Sequence, residues 1–507
     1  MQTDFGLTGR LTIAMNIIVF LLLLSACAEP QNDVLRFGLA NGPTNLDPRF
    51  ATDATSDRVN RLLYERLVDF NDAFEPVPAL ADWEQVSPTL FRFRLDPDRA
   101  SFHDGTLLTA HDVKATYDFI LNAEHASPHR SSLSMIAHIT VEDQDAFAFH
   151  LNRPDPLFPS FLTIGILPEH LIQAGHPFHS RPVGSGPFSF VAWWDDTRLE
   201  LLRLKDRQRF EFIKVSEPTV RALKLLAGEI DMMQNDLPPE LVTYLAKEPQ
   251  LYVRRKPGTN FSYLGFNLED ALAKQRLIRQ AIAHAIDREK IVQYVLGGAA
   301  RLSQSLLPPD HWAGARHLKQ YEHDIEKARS LLAQAGFSPG TPLRLTYKTS
   351  SDPFRVRLAT ILQDQLAQAG IEVDLRSYDW GTFYGDIKAG RFQMYSLSWV
   401  GVKTPDIFHY VFHSESIPPN GANRGRFRSK QADILIDQAR SAQDRQEQKH
   451  FYQALQAHLA EVLPYVPLWY EDHVFIARRD IKGFKIAKDG NYDGLQDVHR
   501  TSSMIHL

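Results

Sequence analysis

Apolar residues along this chain follow several distinct patterns, and each predicts a different element. Residues 11–24 (LTIAMNIIVFLLLL) form a nearly unbroken apolar run. As a helix it would rise roughly 21 Å, short of the ~30 Å hydrocarbon core of a bilayer. With Arg10 on its flank, the run predicts the core of a signal peptide, an uncleaved anchor being the alternative. Beyond it, residues 34–39 read as a first strand, and Asn41-Gly42-Pro43 as the turn that ends it. In residues 57–70 the spacing of Val59, Leu62, Leu63, Leu67 and Val68 predicts a helix. Residues 90–95 alternate apolar side chains with Arg92 and Arg94, as a half-buried strand does. Thr109 is placed to cap a helix through Val113, Tyr117 and Ile120, with Asp112 at the favourable end of its dipole. A short helix between Thr219 and Gly228 and a buried strand at Ile230, Met232 and Met233 follow.

The second half carries the clearest fold signal. Leu277, Ala281, Ala285 and Ile286 share a stripe in a helix predicted over residues 276–296, stopped by Gly297-Gly298. Leu343, Leu345 and Tyr347 alternate as a strand. Pro353 opens a helix through Leu358, Leu362 and Leu366 that Gly370 closes, and Ile371, Val373 and Leu375 alternate again. Strand, helix, strand is a βαβ unit, so the two strands are expected to be parallel and close neighbours. The fold class is α/β with mixed sheets.

Length and charge then narrow the picture. A chain of 507 residues exceeds one hydrophobic core, so several packed units are expected. The net charge of −5 offers no basic field for nucleic acid. Cys27 is the only cysteine, which rules out an internal disulfide. Leu24-Ser25-Ala26-Cys27 follows the apolar run directly and resembles a bacterial lipobox, which implies a lipid on Cys27 and a tether over residues 27–33.

Catalytic motifs are missing. The chain holds no His-Glu-x-x-His, no Walker loop and no Gly-x-Gly-x-x-Gly, so no cofactor is expected. Gly184-Ser185-Gly186 lacks the full nucleophile-elbow pentapeptide and reads as a tight turn beside Pro187. His409 and His413, four apart, could share a helix face as a metal clip, but the pair reads better as groove histidines, and no metal site is assigned. Asp104, Asp112, Asp287 and Asp406 are scattered and read as caps, turn residues or ion-pair partners. The tryptophans, Trp399 and Trp469 among them, lie near predicted strand ends, where rigid aromatic walls suit a ligand pocket.

Several stretches resemble the family 5 extracellular solute-binding proteins, the peptide and nickel receptors of ABC importers. They are SFHDGTLLTAHDV at 101–113, FLTIGILPEH at 161–170, PVGSGPFSF at 182–190, AGEID at 227–231 and RQAIAHAIDREK at 279–290, in the family's order. Ser185 stands where that family usually has Thr. The resemblance implies two lobes and an extra domain joined by hinge strands, closing around a solute. Residues 1–26 would be the signal peptide. Residues 34–50, 180–264 and 474–507 would form lobe I, 51–179 the extra domain, and 265–473 lobe II.

It further implies a non-enzymatic, monomeric periplasmic receptor, lipid-anchored to a cell membrane. Such a receptor delivers peptides or peptide-like solutes to ABC permease subunits. Trp399, Asp406, Asn423, Arg424, Tyr263 and Asn41 are the expected ligand-contacting residues. One departure stands out. Peptide-binding members carry a Trp-x-x-Asp-type segment whose acid pairs with the peptide ammonium, and here that position holds Val402. Either Asp406 or another acid takes its place, or the solute lacks a free amino end, and a non-peptide solute (an opine, an oligosaccharide or a metal chelate) is the alternative within the family. An exported hydrolase, and a sensory or chaperone role, are the alternatives outside that receptor role.

Overall fold

A computed structural model describes residues 34–442 and 444–501; Cys27, the apolar run and the tether lie outside the described residues. Ten strands run side by side in one large mixed sheet. One wing holds β1 (Leu35–Leu39), β8 (Phe188–Asp195), β9 (Arg198–Arg203), β10 (Arg209–Lys214) and β11 (Met232–Gln234). The other holds β14 (Leu343–Ser350), β15 (Ile371–Tyr378) and β16 (Met394–Trp399). Two long strands, β12 (Leu251–Phe266) and β17 (Tyr465–Arg478), join the wings, and β13 (Ala300–Leu302) pairs off the path with β17.

β12 and β17 pair antiparallel from Leu251↔Arg478 to Gly265↔Tyr465, with register shifts between Lys256 and Asn260 and between Ser262 and Tyr263. Irregularities of this kind bend and twist a ribbon locally. They suit the two strands that pass between the lobes. A separate antiparallel sheet forms the extra domain, in the order β4 (Ala81–Ser87), β5 (Leu90–Leu95), β7 (Ala146–Leu151), β6 (Ile136–Val141). A small hairpin of β2 (Val68–Phe70) and β3 (Pro76–Pro78) leads into it.

Most expected elements form as the local chemistry dictates. The helix Ala110–Leu121 starts in a capping box in which Thr109 and Asp112 satisfy each other's backbone donors. The helix Pro218–Ala227 ends at Gly228, whose φ of 76 is the left-handed cap that glycine adopts without strain. β14 and β15 are parallel neighbours in register from Leu343↔Ile371 to Ser350↔Tyr378, with the helix Pro353–Gln368 between them.

Two expected helices are shorter than the apolar spacing predicts. The first occupies Ala54–Leu63 only: Tyr64 turns extended, and Val68 enters β2 instead. The second breaks after Ala285, because Ile286 is extended and Asp287 caps a new turn at Lys290. The Asp287 N–H donates to the Gln365 side chain across the lobe, a tertiary bond that outweighs continuing the helix.

Gly184-Ser185-Gly186 packs against the end of the helix Ala54–Leu63. A Cβ at Gly184 would lie 2.0 Å from the Leu63 carbonyl oxygen, and one at Gly186 2.5 Å from that of Leu62. Ser185 between them is 1% exposed. The turn is glycine-rich because two backbones touch there.

Candidate functional site

Where the lobes and the extra domain face one another they enclose a cavity of about 440 Å³. One wall is the helix Ala54–Leu63 and its continuation, which present Asp57, Asn60, Arg61 and Tyr64. Asp57, Asn60 and Arg61 lie at i, i+3 and i+4 on one helical face, and Tyr64 follows at the helix end. His129, Ser160 and Phe161 of the extra domain extend that wall. The opposite wall is the end of β16 and the loop after it, from Trp399 to Asp406 and on to Tyr410. A second cavity of about 210 Å³ lies beside it in lobe II, lined by Tyr263, Tyr347, Arg355, Trp380, Ser398 and Trp469, among others.

The loop after β16 is held from several sides. Lys403 forms an ion pair of 2.8 Å with Asp489 of the C-terminal segment, and both side chains are largely buried. Burial would raise the Asp489 carboxyl, but Lys403 and Arg61 together hold it far below the ordinary carboxylate range. Burial pushes the His311 imidazole down to about 4, so it is neutral at pH 7. Its Nδ1 accepts from the Ala313 N–H, which leaves Nε2 to donate to the Lys403 carbonyl at 2.9 Å. On the facing wall Arg61 reaches Asp69 at 3.1 Å and also pairs with Asp493. Burial again opposes ionisation of Asp69, yet Arg66 and Arg61 hold it at about 2.

A second closure point is built differently. Asp406 stands at the start of the helix Ile407–Phe412 and pairs with Arg440 at 3.2 Å. Asp155 of the extra domain faces it. Burial, and then the Asp406 charge, raise the Asp155 carboxyl to about 6. Burial likewise raises Asp406, against Arg440 and Arg153.

The structure separates the sequence-selected residues. Trp399 and Asp406 line the larger cavity, and Tyr263 lines the smaller. Arg424 lies behind Trp399, with its guanidinium 4.7 Å from the indole centroid. It also donates to the Tyr384 hydroxyl at 3.0 Å, so it braces the aromatic wall. The Asn423 amide is committed to backbone: it donates to the His413 and Phe427 carbonyls and accepts from the Phe427 N–H. Asn41 is exposed on the turn after β1 and lines neither cavity. Val402 is 8% exposed and packs in an apolar cluster with Phe408 and Phe412. His409 and His413 stack, ring centroids 4.7 Å apart, instead of converging on a point.

Asp57, Asn60 and Lys403 escaped the sequence reading. The only signal for Asp57 and Asn60 was the polar face of a helix whose other face carries Val59, Leu62 and Leu63, and such a face ordinarily meets water; Lys403 sits in a loop with no local signal for its partner.

Two lobes, an added domain, paired crossing strands and a cavity walled from both sides define a solute-binding receptor. Residues 75–455 match the middle region of the bacterial extracellular solute-binding proteins, family 5. The chain belongs to that family. It is 24% identical to the dipeptide-binding protein of Escherichia coli K12 over 532 aligned positions, covering 97% of this chain and 98% of that one. The DppA periplasmic binding protein of Helicobacter pylori, solved with the peptide STSA, is 26% identical with a TM-score of 0.77, covering 92% of this chain and 98% of that one. NikZ of Campylobacter jejuni, solved with Ni(L-His), shares the fold at a TM-score of 0.81 and 24% identity, covering 92% and 100%.

Proposed function

We propose that this protein is the extracytoplasmic receptor of an ABC importer, that it binds peptides or peptide-like solutes, and that Cys27 tethers it to a membrane. The observation that carries the reading is the 440 Å³ cavity with walls from both lobes, a volume within the usual range for small-molecule sites. A solute held there touches both walls at once. Its differential affinity for the closed form is what shifts the open–closed balance. The receptor itself performs no chemistry, and import is powered by separate ATPase subunits. The resemblance to peptide-binding relatives favours a peptide over the opine, oligosaccharide or chelate alternatives. Tethering would raise the receptor's effective concentration at its permease.

Mass spectrometry of the solute released by denaturing the purified protein tests the central claim. An unmodified peptide is the expected result; a sugar, a chelate or a cleaved product overturns it. The intact mass of the mature protein tests the tether, and an unlipidated mature chain removes that part alone.

A further inference from the structure

The charged side chains on the cavity wall are almost all neutralised within the protein. Arg61 pairs with Asp69 and Asp493, Arg66 with Asp69, Lys403 with Asp489, and Asp406 with Arg440. Asp57 is the exception: it lines the cavity, is exposed, and makes no ion pair among the described residues. One turn along the same helix face, Asn60 lines the cavity at 5% exposure. Neither its Oδ1 nor its Nδ2 has a hydrogen-bond partner among the described residues. Leaving such a group unpaired costs about 1–3 kcal/mol, and folded proteins seldom tolerate it.

We propose that Asp57 and Asn60 form the recognition point for the amino end of the solute. The Asp57 carboxylate takes a terminal ammonium, and the Asn60 amide takes the neighbouring peptide group. The proposal rests on the peptide reading above and assigns to this helix the acid that Val402 does not supply.

The chemistry of the two side chains is complementary to that target. Asn60 Oδ1 can accept a peptide N–H while Nδ2 donates to the adjoining carbonyl. Side chains at i and i+3 have Cβ atoms about 5–6 Å apart. That suits an ammonium and a first peptide group separated by about one residue repeat, ~3.8 Å. Asp57 is also in the first turn of its helix and, with no ion pair among the described residues, is available to a cation. Opening of the lobes admits the solute to this face, and closure brings Trp399 and the loop after it against the solute's other side.

The test is affinity selection. The protein is mixed with an equimolar tripeptide library bearing free amino termini, or with the same library N-acetylated. Retained peptides are then quantified by mass spectrometry after gel filtration. The wild type should retain the free-amino library at least tenfold over the acetylated one. Asp57→Asn, nearly isosteric and at an exposed position, should keep its melting temperature. Its retention of the free-amino library should fall about 10- to 100-fold, which erases the preference. Asn60→Ala should weaken retention of both libraries together and leave their ratio intact.

A ratio unchanged by Asp57→Asn overturns the assignment of Asp57 and leaves the peptide reading standing. Unchanged retention by Asn60→Ala removes Asn60 from the site. Retention of neither library by the wild type overturns the peptide reading, and this inference with it.

Discussion

The same loop after β16 closes the cleft at two points, and the two are electrostatic opposites. At the first, Lys403 meets Asp489, and unlike charges from the two sides attract. At the second, Asp406 meets Asp155, two carboxylates that repel when both are ionised. A receptor that closed only through attractive pairs would stay shut and release its solute slowly. One built only on repulsion would not close. Their coexistence within four residues of sequence suggests a closed state held near balance, where the differential binding energy of a solute can decide the outcome.

The two points also respond to pH in opposite directions. Burial and the facing Asp406 push the Asp155 carboxyl up to about 6, above its ordinary value of 3.8. Between those values the folded form binds more protons than the unfolded form, so stability falls as pH rises through that window. Asp489 is held below its ordinary range. Its contribution is therefore present above about pH 4 and is lost as pH falls below that.

The largest expected effect comes from breaking the attractive point. Lys403→Ala leaves Asp489 buried with only Arg61 nearby and should cost the closed form about 3 kcal/mol, roughly a hundredfold in solute affinity. Titration calorimetry with the co-purified solute checks it; a change under twofold would mean that the pair does not latch the lobes. Relieving the repulsive point should do the reverse. Asp155→Asn should stabilise the protein by about 1–2 kcal/mol at pH 7 and by nearly nothing at pH 4, where the acid is already protonated. Urea unfolding at the two pH values measures the difference, and an equal effect at both would place Asp155 in the open.

Trp399 stands at the strand end that leads to both points. Trp399→Ala removes the indole braced by Arg424 and should weaken solute binding about five- to tenfold with little change in melting temperature. The smallest effect is expected at Arg357→Ala. Its ion pair with Glu240 also crosses between lobes, but both side chains are more than two-fifths exposed, so the change should stay within about 0.5 kcal/mol. A larger loss there would mean that closure depends on rim charges as well as on buried ones.

Much of the architecture was legible in the chain. The βαβ unit, the capping box at Thr109 and the glycine stop at Gly228 all follow from local spacing, because each depends on residues within a few positions of one another. The predicted helices over 57–70 and 276–296 came out too long for the converse reason. Apolar spacing is blind to the tertiary partner, Gln365, that takes the Asp287 N–H, and to the turn at Tyr64 that sends Val68 into a hairpin.

The site divides along the same line. By itself the sequence determined the family resemblance, the wall that begins at Trp399 and the loss of an acid at Val402. Each of these is a statement about residue identity at a position. Only the tertiary structure decided that Asn423 serves the backbone, that Lys403 finds Asp489, and that Arg61 finds Asp493, a residue 432 positions away. It also decided that Asp57 makes no ion pair among the described residues, whereas Arg61, Lys403 and Asp406 on the same cavity wall do. The physical reason is that a charge is free or spent only relative to what faces it, and in a two-lobed protein the facing residue comes from the far end of the chain.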